Sequence, residues 1–256
     1  MKKHSITAFV FEIIGSVVMC IFSYLFINAS IQNICMLEEI KEFVSHAELE
    51  LEVGNVSYYA VYTDDVLDRR TITIVQDEND NYRRPLLGTT GDIFIMPQSR
   101  MEFFPLSSQI ISYMFGGHAG VVVENGTHLV EAMGGYGDYS DIASNYTDLF
   151  DEERTVVGLR VKAPYYDRFD AAEFAKGLIG EKYNYLFIFN TKNKYYCTDI
   201  CSRIYSSEFG LDYKIDENGF YTSVPDLLLS NDTEISFVKY TKGDKVYIYY
   251  LKSRNS

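Results

Sequence analysis

Three residues far apart in the chain, Cys197, His118 and Glu131, have the side chains that acyl-transfer chemistry needs: a nucleophile, a base and an acid to orient the base. Cys197 lies in the run Tyr195-Tyr196-Cys197-Thr198-Asp199-Ile200-Cys201. The pattern predicts a helix from Cys197 to Phe209, ended by Gly210. A helix start offers backbone N–H groups without partners and partial positive charge. Both favour a thiolate there. The same N–H groups can hold an oxyanion that develops on an attacked carbonyl. Cys201, one turn deeper, is expected to be a small buried residue. One continuous helix does not suit a disulfide between the two cysteines. Asp199 fits a first helical turn and is assigned no chemistry.

Strand register joins the other two residues. Glu124-Asn125-Gly126-Thr127 contains the Asn-Gly pair of a two-residue hairpin turn. Pairing Glu124 with Thr127 sets Gly120 opposite Glu131 and His118 opposite Met133. Opposed residues share a face, and so do residues two apart on one strand. His118, Gly120 and Glu131 then share a face, with His118 and Glu131 as diagonal neighbours. Gly120 leaves room between them. A carboxylate beside an imidazole fixes its tautomer and stabilises its charged form. The same parity turns His128 to the opposite face and makes it a poor base.

These residues need elements to hold them. Ile93-Phe94-Ile95-Met96, after Gly91-Asp92, reads as a buried strand. His118 to Val123 and His128 to Met133 form the hairpin, and Val156 to Val161 is a further strand. Asp167 or Asp170 caps a helix through Ile179, with Gly180 as the stop. Val238 to Tyr240 and Val246 to Leu251 close as strands. Upstream, Gln32 to Ala47 looks helical, Val56 to Tyr62 strand-like, and Gln76 to Asn81 a loop by composition. Leu49 to Pro85 reads as an insertion or lead-in. Strands with a few helices beside them make an α+β pattern. The expected division is an anchor or signal over 1–30, a helical lead-in and insertion over 31–85, and the catalytic domain over 86–256.

Gly91-Asp92-Ile93, His118-Ala119-Gly120-Val121-Val122, Val130-Glu131-Ala132 and Tyr196-Cys197-Thr198-Asp199-Ile200-Cys201 occur in that order. Together they resemble the circularly permuted branch of the NlpC-type papain-like hydrolases, the YiiX/YaeF-like group, in which histidine precedes cysteine. The likeness extends to Gly180-Glu181-Lys182-Tyr183-Asn184-Tyr185 and Ser223-Val224-Pro225-Asp226-Leu227, and spans roughly Leu86 to Tyr240. Asn184 stands where the group commonly has Asp, and Thr198-Asp199 replaces Ser-Glu. The resemblance implies a papain-like domain with a central antiparallel sheet or half-barrel packed on helices. It implies Cys197 as nucleophile, His118 as base, Glu131 as orienting acid and Tyr196 as a helper at the oxyanion site, with Asp92 structural. The implied reaction is hydrolysis of an amide or ester through an acyl-enzyme, with no metal or organic cofactor. The implied substrates are peptides or acyl-amide small molecules such as cell-wall peptides. Two rivals stay open: a lipid acyl hydrolase or acyltransferase, and a non-catalytic module that binds at the cell surface.

The N-terminus sets where this chemistry would occur. Thr7 to Ile27 is apolar or small except for Glu12 and a few hydroxyl groups, about the length that spans a bilayer. The exit Ile27-Asn28-Ala29-Ser30 is a poor cleavage site, so an uncleaved anchor is expected. Lys2 and Lys3 then stay cytoplasmic, while Glu38, Glu39, Glu42 and the catalytic domain lie outside. The chain carries 23 basic and 36 acidic residues, a net charge of −13. Such a surface repels polyanions, which argues against a nucleic-acid partner. Cys20, Cys35, Cys197 and Cys201 make no C-x-x-C pair and no cluster at zinc spacing.

Overall fold

A computed structural model of the chain describes residues 6–64, 72–73, 86–97, 112–124, 128–133, 140–143, 154–187, 191–216 and 221–254. The first element, α1 (Ile6–Ser45), is one unbroken helix. A hairpin follows, β1 (Glu48–Val53) and β2 (Val56–Thr63), with Gly54 at positive φ in its turn. Two short strands, β3 (Ile72–Thr73) and β4 (Leu86–Leu87), pair with each other. Then come β5 (Ile93–Pro97), β6 (Gly117–Val123), β7 (His128–Ala132), β8 (Ser140–Ala143) and β9 (Val156–Val161). Helix α2 (Tyr165–Gly177) precedes β10 (Lys182–Tyr183) and β11 (Lys194–Tyr195), which pair in parallel. The chain continues with α3 (Cys197–Arg203), α4 (Val224–Leu229) and the hairpin β12 (Thr233–Lys242) and β13 (Lys245–Ser253).

Nine strands form one mixed sheet in the order β1-β2-β13-β12-β9-β5-β6-β7-β8. Its neighbours run antiparallel except β2 and β13, which are parallel. The class is α+β, as the pattern implied, but the sheet is not purely antiparallel. The reason is the segment expected as an insertion or lead-in. It supplies β1 and β2, and β2 lies against β13 from Val56↔Val246 to Thr63↔Ser253. These strands therefore belong to the same sheet as β5 to β9. A partner so distant in sequence leaves no local signal, which is why the strand was legible and its place was not.

The two sheet faces bury different sets. Ile93, Ile95, Val121, Val130, Val157 and Leu159 meet Ala171, Ala172 and Ala175 of α2, Ile200 and Cys201 of α3, and Leu227 of α4. The alanines let α2 lie close. Phe94, Met96, Val122, Leu129, Val156 and Phe237 form a second cluster with Tyr58, Ala60, Leu87, Ile248 and Tyr250. All of these come from strands, so the sheet curls on itself around them. Apolar runs such as Ile93-Phe94-Ile95-Met96 do not alternate because both sides are covered. Each buried aliphatic side chain contributes about 1.5–3 kcal/mol.

A buried charge cluster ties the sheet to the helices. Asp92, enclosed at the start of β5, accepts from Arg160 Nε at 3.1 Å and Nη2 at 3.0 Å, and from Arg168 Nη1 at 3.3 Å. The Thr89 N–H donates to the same carboxylate at 2.8 Å. Gly91 brings α2 this close: a Cβ there would lie 2.4 Å from the Arg168 carbonyl oxygen, and its φ is +87°. The Tyr205 hydroxyl, just beyond α3, donates to the Gly91 carbonyl at 2.5 Å. The Gly-Asp pair thus packs sheet against helix and does no chemistry, in line with the structural role expected for Asp92.

α1 divides by environment and not by any break at residue 30. Ala8 to Tyr24 are exposed, whereas Ala29, Asn33 and Met36 are buried against the domain. Gln32 Nε2 donates to Asp226 at 2.8 Å, and Asn33 Nδ2 to the Tyr113 carbonyl at 2.9 Å. Ser223 and Asp226 form a capping box on α4, so α1 docks on a capped helix. By length and composition α1 can cross a membrane. The Gln76 to Asn81 loop and the Asn125-Gly126-Thr127 turn lie outside the described residues.

Asp92→Asn keeps the volume and removes the charge that faces two enclosed guanidinium groups. It should cost about 3–5 kcal/mol, read as a lower urea midpoint of the full chain in detergent micelles. Asp170→Asn on the exposed side of α2 should leave the midpoint where it was. Equal midpoints for the two variants would refute the role given to Asp92.

Candidate active site

The hairpin register comes out as the turn implied. Val121 opposes Val130, Val122 opposes Leu129, and Val123 opposes His128. Gly120 faces Glu131, since a Cβ on the glycine would sit 3.2 Å from the Glu131 Cβ. Just past the last paired rung, His118 Nε2 and Glu131 Oε2 approach to 2.5 Å. Their side chains are 21% and 12% exposed, so the contact is mostly dry yet open to a ligand. His128 lies elsewhere, with Nδ1 3.3 Å from Glu124 on the surface. The glutamate occupies Nε2 of His118, which leaves Nδ1 as the ring nitrogen that can serve a nucleophile.

Cys197 is the first residue of α3, preceded by Tyr196 in extended conformation. Ile200 N–H is bonded to the Tyr196 carbonyl at 3.0 Å. By helix geometry, the amides of Cys197, Thr198 and Asp199 come before the first intrahelical bond. The expected helix to Phe209 is shorter: α3 ends at Arg203, and a 3₁₀ turn, Ser207–Phe209, follows before Gly210. Burial pulls the His118 pKa down. The negative charge of Cys197 and a hydrogen bond to it pull the other way, and Glu131 adds to them. The net effect raises the ring to about 10. Cys197 and Glu131 are thus the neighbours that favour the charged form of the ring.

The neighbours of Cys197 are pinned by one peptide group that the sequence did not single out. The Thr222 N–H donates to the Tyr196 hydroxyl at 2.6 Å, and Thr198 Oγ1 donates to the Thr222 carbonyl at 2.6 Å. Thr222 thus grips the residues before and after the cysteine. The Tyr196 ring packs edge-on to Phe115 at 5.6 Å and tilted to Phe187 at 5.6 Å. Burial raises its phenol well above the usual range. The Tyr196 hydroxyl accepts from Thr222 and keeps its own proton to donate, so this bond ties the residue before the helix start to Thr222. The Ser223-Val224-Pro225 likeness was the one signal pointing here.

Two further groups gain roles. Arg203 pairs with Asp199 at 3.3 Å and Glu208 at 2.7 Å, and donates to the carbonyls of Thr191 and Lys194 at 3.2 and 3.0 Å. It also lies over the Tyr195 ring at 4.2 Å. It clamps the segment that leads into Cys197. Burial pushes Asp199 up to about 7 against the pull of Arg203. Cys201 donates to the Cys197 carbonyl at 3.3 Å, and burial pushes its thiol well up, as an inert cysteine requires. Among the described residues no group of three or more His, Cys, Asp and Glu side chains is placed to hold a metal ion. No family model matches the chain, and no curated protein matches it.

The ring titrates near 6.5 in an unfolded chain and about 10 here. Its charged form therefore adds stability that is complete below pH 6.5 and is lost as the pH rises through about 10. Cys197→Ser takes away the largest raising influence. The His118 Cε1–H resonance, followed by NMR through a pH series, should then titrate at a lower pH than in the parent protein. An unchanged titration would mean that sulfur and ring do not interact.

Proposed function

We propose that the chain is a membrane-anchored cysteine hydrolase with a permuted papain-like site, which cleaves amide or ester bonds through a Cys197-His118-Glu131 triad. The observation that carries this reading is the His118–Glu131 contact at 2.5 Å, with a cysteine at a helix start as the leading influence that raises the ring. Mere packing of an apolar core does not call for this combination.

The reaction starts from the thiolate–imidazolium pair. The sulfur attacks the carbonyl carbon, and the electron pair of the C=O bond moves to oxygen. The Cys197 backbone N–H is the donor best placed for that oxyanion. As the intermediate collapses, His118 gives its Nδ1 proton to the leaving amine or alkoxide, and a thioester remains. Water then loses a proton to His118 and attacks the thioester. The acid departs and the ion pair is restored. Glu131 holds Nε2 throughout, so the ring presents the same nitrogen at each step. The N-terminal helix would place Lys2 and Lys3 on the cytoplasmic side and the catalytic domain outside, where cell-wall peptides lie. That substrate class comes from the resemblance alone. One observation favours the lipid reading instead: Tyr196, next to the nucleophile, belongs to a cluster that Leu25 of α1 joins.

At neutral pH iodoacetamide should alkylate Cys197 faster than a free thiol and leave Cys201 unmodified, as peptide mass mapping would show. A rate no higher than a free thiol's would favour the binding module. Glu131→Gln should lower turnover by about 10²-fold or more, and Cys197→Ser should abolish it. Full turnover in Cys197→Ser ends both enzyme readings. The mass of the trapped thioester separates a peptide acyl group from a fatty one.

A further inference from the structure

Leu25 marks the level at which α1 leaves the domain. It packs on the cluster of Phe115, Ala132, Tyr183, Tyr196 and Tyr221, and from Tyr24 back to Ala8 the helix is exposed on every side. About twenty residues span the hydrocarbon of a bilayer. A span ending near Leu25 brings the membrane surface up to that cluster. We propose that this end of the domain rests on the bilayer itself, with Tyr185 and Leu186 set into the interfacial region beside the point where α1 enters.

Tyr185 is 48% and Leu186 70% exposed, in a turn between β10 and β11. A line of rings runs from Tyr185 to Phe115, a member of the cluster on which Leu25 packs. Tyr185 lies 4.8 Å from Tyr183, Tyr183 5.9 Å from Phe187, and Phe187 5.0 Å from Phe115. On the other side of the entry point, Tyr113 stacks on Phe26 at 5.1 Å and gives its hydroxyl to Ser30 at 3.0 Å. Exposed tyrosines around a helix entry suit the headgroup level, where one end of the ring is wet and the other apolar. The charge agrees. Lys182 and Lys194 are opposed rungs of the β10–β11 ribbon, and with Lys192 they are exposed. Glu181 is half-buried and Glu208 is bound by Arg203. In a chain of net charge −13, this edge offers cations next to an apolar tip, the arrangement that fits lipid phosphates above acyl chains.

The proposal rests on α1 crossing a bilayer and is independent of the chemistry at Cys197. The chain contains no Trp, so single substitutions give clean fluorescent reporters. Phe22→Trp reports on the span, Leu186→Trp on the proposed contact, and Tyr166→Trp on α2, which packs at the Gly91 end of the sheet. The full-length variants go into nanodiscs of phosphatidylcholine and phosphatidylglycerol, with and without brominated acyl chains. The first two should lose roughly half their emission or more to bromine, and the third should keep it. Quenching for Phe22→Trp but not Leu186→Trp overturns the proposal and leaves the anchor standing. Quenching for neither overturns both, and equal quenching for all three overturns the idea of one lipid-facing end.

Discussion

An imidazole held against a carboxylate beside a buried cysteine, all largely out of water, is the constraint to which the rest of the site answers. Desolvation works to neutralise such a pair, and the His118 ring is raised to about 10 in spite of it. The compensation comes from Cys197 and from Glu131 behind the ring. A pair of this kind is worth little as stability, because loss of hydration offsets the Coulomb attraction. What matters is that imidazole and carboxylate are held in one geometry. The fold supplies this by fixing backbone. Register on β6 and β7 makes imidazole and carboxylate diagonal neighbours. Gly120 omits the Cβ that would crowd Glu131, and the Thr222 peptide holds the residues on either side of the sulfur.

The second buried charge system shows the contrast between holding and reacting. Asp92 is enclosed with two guanidinium groups that are themselves 2% exposed or less, and its oxygens also take the Thr89 amide. No substrate can reach it. Its effect on the site is mechanical. The Val122 N–H donates to the Asp92 carbonyl at 2.8 Å, which fixes β6 beside β5, four residues along from His118. The Tyr205 hydroxyl ties the far end of α3 to Gly91. The strand that carries His118 and the helix that carries Cys197 are therefore anchored to one cluster, away from those two residues.

Much of this could be read from local pattern. Asn125-Gly126 set a register that Val121↔Val130 follows, and the parity argument separated His118 from His128 without any structure. A helix start at Cys197 was also legible, from residue types one turn long. What escaped was long-range. The placement of β2 beside β13, the grip of Thr222 on Tyr196 and Thr198, and the docking of Gln32 on Asp226 all join segments whose sequences carry no mark of each other. Tyr196 shows the difference. The resemblance implied a helper at the oxyanion site, but the N–H that its hydroxyl accepts from lies 26 positions on.

The same lesson applies to α1, whose apolar sequence reads as an anchor and whose second half behaves as a core helix. Met36 is fully buried, and Ile40, Phe43 and Val44 pack on the main cluster. A helix of 40 residues is about 60 Å long, twice the thickness of a bilayer's hydrocarbon, and the domain takes up the surplus. A cut near Ala29 would leave Asn33 and Met36 on the first turns of a new helix end, where fraying is greatest. It would also remove the Leu25 contact with the cluster around Tyr196. The apolar half and the docked half are one continuous helix with no break between them. If the apolar half crosses a bilayer, its tilt and the height of Cys197 above the surface are a single geometric quantity.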